Sequence, residues 1–199
     1  MKNKLFWGCL VSMLFCACNK EILRPQSTDE KKQNLSSGFY KYTIPEGKQY
    51  CDKNTFLPVK IHQLAFKVRF DSSAVYKTRK AENQDDINKL FGFSDNNATH
   101  QQFSARFGWR WSDNALRLFA YNYNNGNRSF KELATIEIGR IYACSITIAG
   151  SEYIFAVNGV ETRMPRESTT AMAEGYQLYP YFGGDETAPH DIFIWIEKL

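Results

Sequence analysis

Arginines alternate with apolar residues in one short part of the sequence, residues 104–111 (SARFGWRW). Successive side chains of a β-strand point to opposite faces, so Phe107 and Trp109 share one face, while Arg106 and Arg110 share the other. The set that contains Ala, Phe and two Trp predicts a core face. Arg106 and Arg110 are then predicted on the exposed face, beside Gly108, which keeps that surface low.

The next stretch, residues 116–123 (LRLFAYNY), alternates in the same way. Its Leu and Ala positions, Leu116, Leu118 and Ala120, form the better core face. If residues 112–114 form a hairpin turn, the exposed faces of both strands meet on one surface. We call this predicted surface the Arg/Tyr face; it consists of Arg106, Arg110, Arg117, Tyr121 and Tyr123.

Such a surface suits a carbohydrate. Guanidinium groups donate hydrogen bonds to hydroxyls or pair with uronate carboxylates, and aromatic rings stack on the C–H side of a pyranose. A solvated sheet face with no ligand is the alternative. A one-residue error in register would also invert the assignment of faces.

Hydrolysis of a glycan is disfavoured by the carboxylates. Retaining glycosidases need two carboxylates roughly 5 Å apart, and neither aromatic strand carries one. Glu132 and Glu137 are five residues apart, so they would point to opposite faces of an extended strand.

A polysaccharide lyase is harder to exclude, because β-elimination needs only a base beside a uronate and a group that neutralises its carboxylate. Arg106 with Tyr121 or Tyr123 could fill these roles, and His100 or Gln102 could join them.

The sequence contains no motif that predicts a bound cofactor or a metal-dependent reaction. There is no zinc-protease, Cys-x-x-Cys, phosphate-loop, nucleophile-elbow or dinucleotide motif. The histidines are spread along the chain, so no metal site is predicted from them. The one cofactor considered is structural calcium, which Asp185, Glu186 and Asp191 could bind. The alternative is that these residues form a solvated acidic turn.

The N-terminus predicts export and lipidation. Lys2 and Lys4 precede an apolar run, residues 5–17, that is too short to span a bilayer. The run ends in Phe-Cys-Ala-Cys, which resembles a bacterial lipobox, so residues 1–17 are predicted as a lipoprotein signal peptide and Cys18 as the lipid attachment site. An ordinary cleaved signal is the alternative.

Residues 18–37 are polar and predict a flexible tether. Their Asn-Lys-Glu start resembles signals that send some lipoproteins to the outer face of the outer membrane. The prediction is therefore an exported protein, lipid-anchored to the outer membrane and exposed at the cell surface.

Loss of residues 1–17 removes two of the 25 Lys and Arg and none of the 21 Asp and Glu, so the net charge falls from +4 to +2. That charge is too low for a typical nucleic-acid-binding protein. Of the five cysteines, Cys51 and Cys144 remain in the folded part. In an oxidising compartment they could form a disulfide; two buried thiols are the alternative.

Alternating patterns separated by turn residues predict an all-β domain over residues 38–199. The predicted strands are residues 39–44, 61–70, 103–111, 116–124, 141–149, 153–158, 176–182 and 191–197. Residues 85–91 predict the one short helix, because two acids stand near its start and Gly92 follows it. No helices alternate with the strands, so the prediction is an antiparallel two-sheet sandwich.

Four segments resemble the concanavalin A-like lectin/glucanase jelly-roll superfamily, and within it the polysaccharide-lyase-like domains of bacterial surface lipoproteins. They are residues 86–95, 104–111, 175–184 and 188–190. The resemblance covers roughly residues 38–199 and implies two curved sheets with a carbohydrate-binding concave face. The Gln-Ile-His signature of the alginate-lyase relatives is absent, as is their Arg-rich strand with its Glu.

The sequence therefore predicts a membrane-anchored lipoprotein whose jelly roll binds polysaccharide or oligosaccharide without chemistry of its own, alongside partner proteins of a polysaccharide-utilisation system. A lyase or glycoside hydrolase is one alternative, and a structural or protein-interaction sandwich is another. Residues 179–191 (YPYFGGDETAPHD) are predicted to be an architectural corner that closes the sandwich rather than a reactive loop.

Overall fold

The computed structural model describes residues 38–199. The predicted signal peptide, residues 1–17, the predicted lipid site Cys18 and the predicted tether, residues 18–37, lie outside the described residues. Twelve strands follow one another: β1 Tyr40–Ile44, β2 Pro58–Ile61, β3 Gln63–Phe70, β4 Asn88–Ser94, β5 Ser104–Ser112, β6 Ala115–Asn124, β7 Asn127–Ile136, β8 Ile141–Ala149, β9 Glu152–Val157, β10 Val160–Pro165, β11 Ala173–Leu178 and β12 Ile192–Lys198. All eight predicted strands are present; seven agree with the prediction to within two residues at each end, while the strand predicted over residues 176–182 is found three to four residues earlier, as β11.

The strands form two antiparallel six-stranded sheets. One has the order β1-β12-β3-β8-β9-β10, and the second, which we call the site sheet, has the order β2-β11-β4-β5-β6-β7. The predicted all-β jelly-roll sandwich is confirmed. In the part of the chain that the structure describes, no helix is long and apolar enough to cross a membrane.

Aromatic side chains fill the space between the sheets. Phe107 of β5 contacts Phe66 of β3 and Phe155 of β9 edge to face, with ring centroids 5.4 and 5.3 Å apart. Each such ring contributes about 1.5–3 kcal/mol through burial. The apolar sets predicted in residues 104–111 and 116–120 face this core, as the alternation requires.

The predicted helix at residues 85–91 is wrong. Ala81–Asp85 form a short 3-10 segment, and Asn88 begins β4, a strand whose seven residues are all buried. The pairing of β4 with β5 shifts register between Lys89 and Gly92, so both Leu90 and Phe91 reach the core. This bulge breaks the two-residue period that would have indicated a strand, and the acids before Asn88 and Gly92 after it were wrongly interpreted as the two ends of a helix.

Of the two alternatives for the cysteines, the structure has the buried thiols and not the possible disulfide. Cys51 and Cys144 are both free and buried. The Cys51 Sγ donates to the Lys53 carbonyl at 3.3 Å, while Cys144 sits opposite Phe66 in the β3–β8 pairing. Burial raises the pKa of Cys51 to about 11 and raises the pKa of Cys144 as well. Both residues therefore act as small buried hydrophobes with protonated thiols.

A buried ion pair joins the two sheets at one end. Arg166, just after β10, donates its Nε hydrogen to Asp95 Oδ2 at 2.8 Å, and both side chains are almost fully enclosed. Tyr153 of β9 donates to the same oxygen at 2.8 Å. Burial alone would raise the pKa of Asp95, but hydrogen bonds from Arg166 and Tyr153 outweigh it and lower that pKa.

We expect Asp95→Asn to destabilise the protein by about 3–5 kcal/mol, because it leaves the Arg166 charge buried without a counterion. Urea unfolding of the wild-type protein and the variant measures this difference. Arg163→Met is the matched control: it removes the exposed Arg163–Glu152 pair, which should contribute at most about 1 kcal/mol. An equal loss of unfolding free energy in the two variants would show that the Asp95–Arg166 pair stabilises the fold no more than an exposed ion pair does.

Candidate functional site

A cleft of about 890 Å³ lies on the outer face of the site sheet. Its volume falls within the range of small-molecule binding sites, which is about 300–1,000 Å³. Its polar and aromatic lining includes Tyr50, Phe56, Lys89, His100, Gln101, Arg106, Tyr121, Tyr123, Arg128, Tyr176, Tyr181 and Asp185. A group this rich in cations and tyrosines can bind anions and sugar hydroxyls.

Strand register explains how the cleft forms. Arg106 of β5 stands opposite Tyr121 of β6, which stands opposite Phe130 of β7. One step along, Tyr123 stands opposite Arg128. These residues alternate with core-facing neighbours, so their side chains share the outer face. Three members of the predicted Arg/Tyr face, Arg106, Tyr121 and Tyr123, thus line the cleft.

The remaining two arginines of the Arg/Tyr face do not line the cleft. Arg110 of β5 and Arg117 of β6 stand opposite each other, closer to the hairpin turn than Arg106 and Tyr121. Arg110 donates to the Asp85 carbonyl at 2.8 Å. Arg117 pairs with Glu132 at 2.9 Å and with Asp113 at 3.3 Å. Their charges are already compensated, which separates them from Arg106.

Arg106 is enclosed, yet no residue among 38–199 forms a hydrogen bond or salt bridge with its side chain. Its exposure is 9%, and its Nε is buried without a hydrogen bond among the described residues. No salt bridge in that part of the chain includes it either. Burial lowers its pKa to about 10, which still leaves it charged at neutral pH. A buried guanidinium without a counterion is costly, so its presence indicates an anion supplied from outside.

Lys89 of β4 forms part of the cleft floor and was missed in the sequence. Its Nζ donates to the Ile87 carbonyl and lies 4.2 Å from the Tyr121 ring centroid. Burial, followed by the charges of Arg106 and Arg128, lowers its pKa to about 7, although Asp86 opposes the change. Much of this amine is therefore uncharged at neutral pH. Its position inside the wrongly assigned helix concealed it.

The segment predicted as an architectural corner also builds the site. Tyr181 exchanges two main-chain hydrogen bonds with Lys89, at 2.8 and 3.0 Å, and the Gly183 amide donates to Asn88 Oδ1 at 2.8 Å. A Cβ on Gly183 would lie 2.4 Å from the Ile87 carbonyl oxygen and 3.0 Å from Lys89 Nζ. The corner prediction was therefore incomplete, because the same residues position Lys89.

An exposed aromatic rim borders the cleft. Tyr50 and Phe56 lie between β1 and β2 and are 62% and 75% exposed. Their ring centroids lie 5.1 Å from Tyr181 and 5.5 Å from Tyr176, respectively. Exposed rings beside a polar cleft are suited to stack on sugar rings. The closely spaced Tyr50, Phe56 and Leu57 in a loop were the available sequence signal.

His100, which the lyase alternative named as a residue that could join Arg106, lines the cleft. Gln102, named with it, does not line the cleft, whereas its neighbour Gln101 does. His100 Nδ1 lies 2.9 Å from the Tyr176 hydroxyl, and the His100 amide donates to the same oxygen at 3.1 Å. Burial, followed by the charge of Arg106, lowers the pKa of His100. The imidazole is thus neutral and already hydrogen-bonded.

The acidic residues considered for calcium have separate partners. Glu186 accepts from the Arg79 and Lys80 amides at 2.8 and 3.0 Å, while Asp191 accepts from the Glu46 amide at 2.8 Å. Within residues 38–199, no group of three or more His, Cys, Asp or Glu side chains is arranged to hold a metal ion.

The structure is similar to solved carbohydrate-active enzymes. It matches the alginate lyase AlyC3 with a TM-score of 0.53 at 9% identity, covering 82% of this chain and 77% of that one. It matches the catalytic domain of an endo-1,3-β-glucanase (laminarinase) from Thermotoga petrophila RKU-1 with a TM-score of 0.53 at 10% identity and the same coverages. A native glycosidic hydrolase gives 0.50 at 14% identity, again with coverages of 82% and 77%.

These enzymes have concanavalin A-like jelly-roll folds, which confirms the fold resemblance seen in the sequence. No protein-family model matches the chain, and a search of curated proteins finds no relative. At such low identity the likeness establishes the shared fold, so function must be argued from the cleft.

We expect the Lys89 amine to titrate near neutral pH. Acylation of each lysine over a range of pH, followed by peptide mass spectrometry, should give Lys89 a reactivity midpoint near 7. An ordinary lysine amine titrates at about 10.4. A Lys89 midpoint as high as that of ordinary lysines would contradict the described surroundings.

Proposed function

We propose that this cleft binds a polysaccharide or oligosaccharide that carries carboxylates. The observation that carries the proposal is Arg106, a buried guanidinium without a partner among the described residues. Arg128 adds a further positive charge and Lys89 a further hydrogen-bond donor, whereas Asp185 alone contributes a carboxylate to the lining that the structure describes. A uronate carboxylate would supply the missing counterion through two parallel hydrogen bonds.

The remaining lining supports a sugar rather than a small inorganic anion. Tyr121 and Tyr123 can donate hydrogen bonds to hydroxyls, and their rings pack edge to face with centroids 5.8 Å apart. Tyr50 and Phe56 offer exposed rings at the cleft edge. A chain of pyranose rings presents both hydroxyls and apolar C–H faces, and so it matches this combination. The fold shared with carbohydrate-active enzymes supports the same class of ligand.

Hydrolysis by two carboxylates does not form part of the proposal, since Asp185 has no second carboxylate beside it among the described lining residues. A purely structural or protein-interaction sandwich would not explain why Arg106 is enclosed without a counterion. Binding of an acidic glycan does explain it.

We also propose that the protein is an exported lipoprotein, anchored through Cys18 to the outer membrane and exposed at the cell surface. The support is the charged start, apolar run and Cys-containing junction of residues 1–18. An anchored glycan-binding domain would hold polysaccharide near the membrane, where partner proteins of a polysaccharide-utilisation system could act on it.

We expect Arg106→Met to weaken binding to an acidic polysaccharide roughly 10–100-fold, because one charge-assisted hydrogen-bonding group is lost. Titration calorimetry with oligomers of a 1,4-linked polyuronate measures this change. Arg110→Met is the matched control on the same strand and face; its guanidinium is already bound to Asp85, so it should change affinity little. Carboxyl-reduced oligomers should bind weakly to the wild-type protein and to Arg106→Met alike. Similar losses for both arginine variants would contradict the role of Arg106.

We expect Cys18→Ala to release the protein from the membrane fraction, since its thiol is the proposed acylation site. Metabolic labelling with a fatty acid, followed by membrane fractionation, tests this directly. Cys16→Ala, two residues earlier, is the control and should leave labelling intact. Retention of the lipid label in Cys18→Ala would refute the proposed anchor.

A further inference from the structure

The sheet opposite the site sheet carries two aromatic rings on its outer face. Phe193 and Trp195 of β12 point outwards, because the residues that alternate with them are core isoleucines. Their ring centroids lie 6.4 Å apart. Lys41 of β1 and Arg69 of β3 stand on either side of Trp195 in the neighbouring strands. We call Lys41, Arg69, Phe193 and Trp195 the Phe/Trp face.

Both cations of the Phe/Trp face contact an aromatic ring and have no counterion. Lys41 Nζ lies 3.9 Å from the Phe193 ring centroid, and Arg69 Cζ lies 4.3 Å from that of Trp195. No salt bridge within residues 38–199 includes either cation. The Arg69 Nε is also buried without a hydrogen bond to those residues. The neighbouring Lys67, in contrast, pairs with Glu197 at 3.0 Å. The Phe/Trp face therefore carries two positive charges that no described carboxylate compensates.

This combination of side chains suits an anionic lipid surface. Aromatic rings favour the headgroup region of a bilayer, where Trp is enriched. Lysine and arginine beside them are attracted to anionic headgroups. A soluble acidic partner would also neutralise the cations, but it would not by itself account for two aromatic rings beside them.

The position of the Phe/Trp face also fits a membrane partner. The two sheets pack against each other through the core, so the outer face of one points away from the outer face of the other. The Phe/Trp face is thus turned away from the cleft. It includes β1, the first strand of the described domain, and Tyr40 of that strand follows Cys18 by 22 positions (40 − 18). At up to about 3.5 Å per residue, that length lets an anchored chain bring this face to the membrane.

We propose that the Phe/Trp face docks on the anionic lipid headgroups of the membrane that holds the proposed Cys18 anchor, so that the cleft is directed away from that membrane. This inference rests on the proposed anchor. It goes beyond glycan binding, because it assigns a lipid partner to a second surface of the domain.

The test uses the full chain in its lipidated form, reconstituted into vesicles of phosphatidylcholine alone or mixed with phosphatidylglycerol. Lipids brominated near the headgroup end of their acyl chains quench tryptophans that enter the interface. We expect stronger quenching in the anionic vesicles than in the neutral ones, and we expect high salt to remove the difference. Trp195→Phe should abolish the additional quenching, since Trp109 is fully buried in the core.

The double variant Lys41→Gln/Arg69→Gln tests the cations. It should lower the ratio of docked to undocked protein roughly 25-fold, or about fivefold for each charge removed. Lys60→Gln/Lys131→Gln is the matched control: it removes the same charge from the edge strands β2 and β7 of the site sheet and should leave quenching unchanged. Calorimetry with polyuronate should give wild-type affinity for both double variants, which verifies that the cleft is intact.

The outcomes separate docking from the earlier proposals. Equal quenching in neutral and anionic vesicles, or undiminished quenching of Lys41→Gln/Arg69→Gln, would overturn the docking inference and leave the anchor and the glycan site intact. A chain that does not stay with neutral vesicles would refute the anchor, and this inference with it. A lipid-free dimer that shields Trp195 from a soluble quencher would assign the face to a second copy of the chain and would also overturn docking.

Discussion

The buried Asp95–Arg166 pair fixes the geometry on which the cleft depends. Asp95 directly follows β4, while Arg166 belongs to the segment that leads from β10 towards β11, so their pair joins two distant parts of the chain. Asp95 Oδ1 also accepts from the Glu174 amide in β11 at 3.2 Å. The next contact, from the Tyr176 amide to Ser94 Oγ at 2.9 Å, holds β11 against β4. Gly175 permits this approach, because a Cβ there would lie 2.3 Å from Ser94 Oγ. The wall that carries Tyr176 and His100 is thereby set.

Two buried arginines in one domain show how structural and binding roles differ. Arg166 donates to Asp95, the Gly150 carbonyl, Ser168 and the Thr170 carbonyl, among others, so its charge is fully compensated. Arg106 is also buried, yet it has no such acceptor among the described residues. The fold can tolerate this cost because the aromatic ring of Tyr121 offsets part of the charge. The contrast lies in the partners and not in burial.

Period-two alternation was sufficient to predict the sandwich, the core faces of β5 and β6, and Arg106, Tyr121 and Tyr123 in the cleft. It could not separate Arg106 from Arg110 and Arg117, because the acceptors of those two arginines come from outside the alternating pattern.

Lys89 was not predicted in the cleft for another reason: a bulge removed the regular period that would have identified β4 as a strand. The strands β2, β7 and β10 were missed, although the Asn125-Gly126 and Asn158-Gly159 turns before β7 and β10 adopt the positive φ angles expected of tight hairpins. Cysteine spacing carried no information on the distance between the thiols.

The last part of the chain shows why stability and chemistry cannot be assigned to separate residues here. Tyr181 acts through its backbone, which pairs with Lys89, and through its ring, which packs against the rim residue Tyr50. Gly183 lies against both the Lys89 amine and the carbonyl that accepts its hydrogen bond. Any side chain at this position must displace one of them, so a change made to the corner also moves Lys89. The Arg106 side chain, in contrast, makes no hydrogen bond to the described residues, and it can change without breaking one. Within a single cleft, the residue proposed to hold the ligand is separable from the fold, whereas Lys89 is built into the closure of the sandwich.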